Sequence, residues 1–244
     1  MARMTAIPLE DEIFYPESDG EPMAETKLHL QEMMYVLEAL EDRFLDEPDV
    51  FIGGNLFFYY ERGVKDAVVA PDAFVAKGLP DGKALRSKYL LWEECQIPCF
   101  AAEVTSETTR KKDERDGFKW KLYERLGIEE YFLFDPEGDY LDPRLQGYRL
   151  AGGRYRPIPP ESDGSLRSTT TGIVFRAEGI RLRLTDAATG VAYLRREEET
   201  RARRKAEERA TASERRVAAE TEARRQAEAQ IRALQEELNR LRAD

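Results

Sequence analysis

A chain of 244 residues with 35% charged side chains, 38 Lys+Arg against 48 Asp+Glu and a single histidine excludes several classes at once. No apolar run approaches the ~18–20 residues of a membrane span and the first twenty residues carry no signal-like apolar core, so no membrane association is expected. Cys95 and Cys99 are too few for a disulfide scaffold and suit the reducing cytoplasm, and one histidine rules out multi-histidine zinc sites.

Charge is unevenly divided along the chain. From Arg195 onward there are 14 Lys+Arg against 12 Asp+Glu, which leaves 24 against 36 for residues 1–194, a net of −12. Phosphate neutralisation drives nonspecific nucleic-acid binding, so an acidic body argues against avid binding by the body alone.

Residues 1–24, polar and rich in Pro, Gly and acids, read as an extended arm. From Glu25 to about Leu45, apolar residues at Leu30, Met33, Met34, Leu37, Leu40 and Phe44 recur at spacings of three and four, the pattern of an amphipathic helix. His29 lies on it, four residues from Glu25 and on the same face. Residues 50–60 are aromatic and β-prone, with Gly53-Gly54 suggesting a bulge or a close backbone approach. Residues 67–76 read as a strand interrupted at Pro71. Residues 80–94 read as a surface loop anchored by Tyr89 and Trp92.

Residues 98–105 form a continuous apolar run, the pattern of a strand buried on both faces. Residues 110–126 read as one helix with Gly127 as its C-terminal cap. Residues 130–135 read as a second buried strand stopped by Pro136. Strand, helix, strand over 98–135 is a βαβ-like unit and predicts an α/β fold with a mixed sheet covered by helices. Residues 145–184 break into short runs separated by turn residues, which predicts small antiparallel strands. Beyond Val191 the chain is almost wholly Ala, Arg and Glu, which predicts a long helix. Its Ile231, Leu234, Leu238 and Leu241 make a short coiled-coil seam that suits a homodimer, although a solvated single helix fits as well.

One stretch carries a coherent chemical pattern. Asp72 sits in the run VVAPDAFVAKG, Glu103 closes CFAAEVTS, and Lys119 and Lys121 follow on the next helix. Mg²⁺ and Mn²⁺ prefer oxygen donors, and two carboxylates on neighbouring strands could hold one of them with the backbone carbonyl of Val104. Lys119 and Lys121 lie about 200° apart on a helix; Tyr123 shares the face of Lys119, which favours Lys119 as the inward cation. Acids at strand ends also serve as caps or solvated charge, so spacing alone leaves both readings open.

The order APDAFVAKG, PCFAAEVTSETTRKKD, KWKLYERLGIEEYFLFDP, GYRL and LRSTTTGI resembles the Uma-two family of restriction-endonuclease-like proteins, in the PD-(D/E)XK nuclease superfamily, over most of residues 20–194. The segment DGEPMAETKLHLQ resembles that family's entry into its first helix. The resemblance implies a restriction-endonuclease-like mixed β-sheet flanked by helices and a Mg²⁺-dependent (or Mn²⁺-dependent) phosphodiesterase site acting on DNA. It matches Asp72 to the PD motif, Glu103 to the E of E-V-x-S, and Lys119 to a K-x-x-x-Y placement that ends at Tyr123. Thr105, where the parent superfamily pattern has lysine, is an expected departure in this family. In related folds the first helix sends an acid toward the metal, which makes Glu25, with His29 beside it, and Glu32 accessory candidates. The competing expectation is a catalytically inactive nuclease-fold interaction protein whose coiled-coil tail recruits a partner.

Overall fold

The computed structural model describes residues 13–18, 26–107 and 109–243. The chain divides into two compact units, Met1–Tyr193 and Leu194–Asp244. Within the first, α1 spans Lys27–Arg43; the Thr26 hydroxyl caps it by accepting from the His29 N–H at 3.1 Å. Of the apolar stripe read from the sequence, Met33, Leu40 and Phe44 are buried and Met34 is exposed; Tyr35, Val36 and Ala39 complete the buried face. Of the expected N-terminal arm, residues 13–18 are described. Tyr15 packs against Tyr59 and Trp92, with ring centroids 5.1 and 5.0 Å away.

The main sheet has six strands in the order β1 (Val50–Gly53), β4 (Ala73–Lys77), β6 (Phe100–Val104), β7 (Glu130–Phe134), β8 (Leu145–Ala151) and β9 (Arg154–Pro157). Only the β6–β7 pairing is parallel, and the chain crosses between those strands through α3 (Arg110–Asp113) and α4 (Phe118–Leu126). This is the expected βαβ unit inside a mixed sheet. Two three-stranded sheets accompany it. One is β3 (Val68–Val69), β2 (Phe58–Tyr59) and β5 (Tyr89–Leu90); the other is β10 (Leu166–Arg167), β11 (Ile173–Glu178) and β12 (Arg181–Asp186).

Alternation along the central strands sends side chains into two cores. Phe100, Ala102, Val104, Phe132 and Phe134 face α1 and the Phe175, Leu182 and Leu184 side chains of the small sheet. Ala101, Tyr131 and Leu133 face α4, against Trp120, Leu122 and Tyr123. Both faces of β6 and β7 are therefore covered, which is why their sequences are apolar apart from Glu103 and Glu130. Gly53 is fixed by close approach: a Cβ there would lie 2.2 Å from the Phe74 ring.

Three segments differ from the sequence expectation. Residues 67–76 divide into β3 and β4, which join different sheets, because Pro71 has no N–H to continue a ladder. The 80–94 loop contains β5 and a short helix α2 (Leu91–Glu94), tied by Arg86 donating Nε and Nη2 to Glu94 at 2.7 and 3.0 Å. The single helix expected over 110–126 is two, α3 and α4, separated by Asp116 in the left-handed region (φ 65°) and Gly117. Gly127 (φ 91°) caps α4 as expected, donating its N–H to the Tyr123 carbonyl at 3.0 Å.

The sheet is pinned by a buried carboxylate that the sequence reading passed over. Glu130 accepts from the hydroxyls of Ser168, Thr169 and Thr170 at 2.6, 2.8 and 2.8 Å, from the Thr169 and Thr170 N–H groups, and from Arg149 Nε at 2.9 Å. Burial pushes its carboxyl up, but these donors outweigh burial and hold it below the ordinary carboxylate range. A group depressed in this way adds stability above its unfolded pKa and loses it as pH falls through the folded one. Glu130→Ala is expected to cost about 3–5 kcal/mol at neutral pH, since it strands five donors of the 168–170 turn. Urea unfolding should show that difference shrinking below pH 4.

The second unit is the helix α5, Arg196–Ala243, 48 residues long. Val217, Ile231, Leu234 and Leu238 are exposed along it; the Leu241 side chain lies outside the described residues. Among the described residues no helix is long and apolar enough to cross a membrane.

Candidate active site

Antiparallel β4 and β6 pair with Ala73 opposite Ala102, so β4 begins where β6 ends. One step further out in that register stand Asp72 and Glu103. The Asp72 N–H points to Glu103 Oε2 at 3.3 Å, and the Val104 N–H donates to Asp72 Oδ2 at 2.7 Å. The two acids singled out from the sequence are therefore neighbours at one end of the sheet.

α4 lies across this end and brings Lys119 inward. Its Nζ donates to Glu103 Oε2 at 2.8 Å, lies 3.1 Å from Asp113 Oδ1, and reaches the Ala70 carbonyl at 3.5 Å. One turn on, the Tyr123 hydroxyl donates to Glu103 Oε1 at 2.9 Å. Lys121 is exposed on the opposite side of the helix, as its phase requires. From α1, His29 Nε2 approaches Asp72 Oδ2 to 3.3 Å.

Glu25 lies outside the described residues. Glu32, the other acid considered for an accessory role, is placed elsewhere. It is fully buried, accepts from Arg181 Nη1 at 2.9 Å and the Leu182 N–H at 2.8 Å, and ties α1 to β12. Thr105 is buried, and among the described residues its hydroxyl has no hydrogen-bond partner.

Asp113 is the site residue missed in the sequence. On one continuous helix it would stand about 120° around the axis from Lys119. The break at Asp116-Gly117 folds α3 back so that its carboxylate meets the ammonium. The Tyr131 hydroxyl holds it there by donating to the Asp113 carbonyl at 2.9 Å.

Three carboxylates crowd one ammonium in a nearly dry site. The Glu103 and Asp113 side chains are 1% exposed, and Asp72 is 15% exposed. Burial pushes Glu103 up to about 8 against the pull of Lys119, with Asp113 and Asp72 adding to the rise. Burial likewise raises Asp113. For Lys119, burial acts against the charged form, but Glu103, Asp113 and Asp72 together outweigh it and hold the ammonium above the ordinary lysine range. Burial and Glu103 raise the Tyr123 phenol well above its usual value, so it remains a donor.

On the α1 side, the space beside Asp72 and Glu103 is a cavity of about 10 Å³ walled by Met33, Val36, Ala73 and Ala102, room for a single water at most. Access to the acids is therefore from the end of the sheet, where Asp72 is the least buried of the three.

The donor set fits a hard divalent cation in chemistry: it offers carboxylate oxygens, and a cation there would favour their charged form. Among the described residues no three His, Cys, Asp or Glu side chains form a ready-made cage.

A family model for Uma2, described as putative restriction endonuclease, matches residues 3–183. Among solved structures, a putative nuclease belonging to DUF820 from Anabaena variabilis ATCC 29413 is similar, with 14% identity and a TM-score of 0.43 over 62% of this chain and 76% of that one. No protein of curated function matches.

Proposed function

Because the chain belongs to the Uma2 family of restriction-endonuclease-like proteins, we propose that it is a Mg²⁺-dependent DNA endonuclease that hydrolyses phosphodiester bonds. The observation that carries this reading is the convergence of Asp72, Glu103 and Lys119 at one end of the sheet, with Lys119 Nζ 2.8 Å from Glu103 Oε2.

Asp72 and Glu103 would hold the Mg²⁺ (or Mn²⁺), with the Val104 carbonyl as a third donor. Such an ion would supply Lewis-acid polarisation of the phosphate and a lowered pKa for the attacking water. Lys119 orients that water and offsets charge developing on the phosphate, which costs little reorganisation because Glu103 and Asp113 already fix its ammonium. Tyr123 holds the second Glu103 oxygen in place. His29, at Asp72 Oδ2, orients the other acid. Two free thiols suit work in the cytoplasm. The exposed Ile231, Leu234 and Leu238 stripe of α5 would pair two copies; sedimentation of the whole chain against residues 1–193 tests this, and equal protomer states would remove it.

The test is hydrolysis of plasmid, single-stranded DNA and RNA in Mg²⁺ or Mn²⁺. Cleavage of DNA that Asp72→Asn lowers by about 10³-fold is the expected result. Hydrolysis of RNA alone would reassign the substrate. The site's closure favours a second reading, an inactive nuclease fold whose α5 recruits a partner. Absence of cleavage in every metal, together with a partner held by residues 194–244, would select it.

A further inference from the structure

The outward side of α4 carries a second feature, unconnected with the acid pair. Arg115, Lys121, Arg154 and Arg156 surround an open pocket of about 230 Å³, with Trp120 and Tyr155 in its wall. Three elements build it. Lys121 stands about 200° around α4 from Lys119. Arg154 and Arg156 are two apart on β9 and so share a face. Arg115 lies on the bend between α3 and α4.

Two acids also line the pocket, Asp116 and Glu124. Glu124 is fully engaged, accepting from Arg154 Nη1 at 2.8 Å and from the Tyr155 N–H at 2.7 Å. Arg115, Lys121 and Arg156 have no carboxylate partner among the described residues, so the pocket keeps an excess of two positive charges after Asp116 is counted. Several other arginines of this acidic body are paired, among them Arg86 with Glu94, Arg149 with Glu130 and Arg181 with Glu32. Unpaired cations converging on a concavity in a body of net −12 are placed for a mobile anion.

We propose that this pocket seats a backbone phosphate of the DNA strand, as a binding contact separate from hydrolysis. The identity of the polyanion rests on the nuclease reading. The pocket answers the objection raised by the acidic body: binding needs only a local basic surface, and α4 presents one lysine to the candidate catalytic acids and another to this pocket. The bound phosphodiester would be recognised as charge, without base readout.

The experiment is fluorescence anisotropy of a labelled DNA duplex with the full chain in EDTA, over a salt series. Arg115→Ala/Lys121→Ala/Arg156→Ala is expected to weaken binding at least tenfold at low salt and to reduce the slope of log K against log salt by about two to three. Arg156→Ala alone should reduce it by about one, and Lys65→Ala, a charge-matched change away from the pocket, should leave it unchanged. Unfolding curves that match wild type exclude a folding defect. No DNA binding by the wild type, or an unchanged slope in the triple variant, would overturn the proposal. So would saturation of the pocket by inorganic phosphate with DNA binding unaffected by the triple variant. Hydrolysis of bis(p-nitrophenyl) phosphate, too small to span to the pocket, separates the two readings. If it persists while DNA binding ignores the pocket, only the phosphate contact falls. If no diester is hydrolysed but the salt slope changes, the contact stands and the nuclease reading falls.

Discussion

Glu103→Gln is expected to abolish DNA hydrolysis, by about 10³-fold, and at the same time to raise the melting temperature. The two effects have one cause. Glu103 is a buried carboxylate crowded by Asp72 and Asp113, with Lys119 as its cation, and burial pushes it up to about 8. A carboxyl raised on folding contributes full stability below its unfolded pKa and loses it as pH rises through the folded value. Between the ordinary carboxylate range and about pH 8, wild type should therefore lose stability that the glutamine variant keeps. Glutamine can still accept from Tyr123 and Lys119, so packing survives while the metal-binding charge does not. Thermal melts at pH 5 and pH 8 check this: the variant's advantage should grow with pH, at about 2–4 °C for each kcal/mol in a chain of this size. A variant less stable than wild type at pH 8 would mean that the Lys119 pairing outweighs burial.

Lys119→Met is expected to lose both properties. Removing the ammonium leaves Glu103 and Asp113 buried without their cation, and breaking one partner of a buried pair costs about 3–5 kcal/mol. The loss of a positioned charge at the phosphate costs a further 10²–10³-fold in rate. Glu103→Gln/Lys119→Met should recover a large part of the stability and none of the activity, because the two side chains share an interaction and their effects do not add. Urea unfolding of the four proteins in that cycle gives the coupling directly. Additive effects would show that Lys119 is held by Asp113 alone.

The parts of this architecture legible in the sequence are those fixed by local pattern. The runs at 98–105 and 130–135 read as buried strands because both their faces are covered, and they lie side by side as β6 and β7. The inward phase of Lys119 followed from its Tyr123 neighbour and from the outward Lys121. Asp72 and Glu103 could be named, but their meeting depended on a β4–β6 register that no local pattern specifies. Asp113 was hidden by a helix break whose one available signal was the Asp116-Gly117 dipeptide, a turn former inside an otherwise helical run. Glu130 was passed over, and Glu32 was considered for the wrong place, for a related reason. An acid in sequence looks solvated, and the partners that bury these two lie 149 and 38 residues away, Arg181 and Ser168. Net charge also hides position: three carboxylates meet at the acid pair, while Arg115, Lys121 and Arg156 gather across α4.

The most direct measurement is a Mn²⁺ titration of the full chain followed by calorimetry and electron paramagnetic resonance, for wild type and Asp72→Asn. The account predicts uptake of one ion per chain by wild type, displaced by Mg²⁺ and lost in the variant, with both proteins equally folded. No uptake by wild type, or the same uptake by Asp72→Asn, would contradict it.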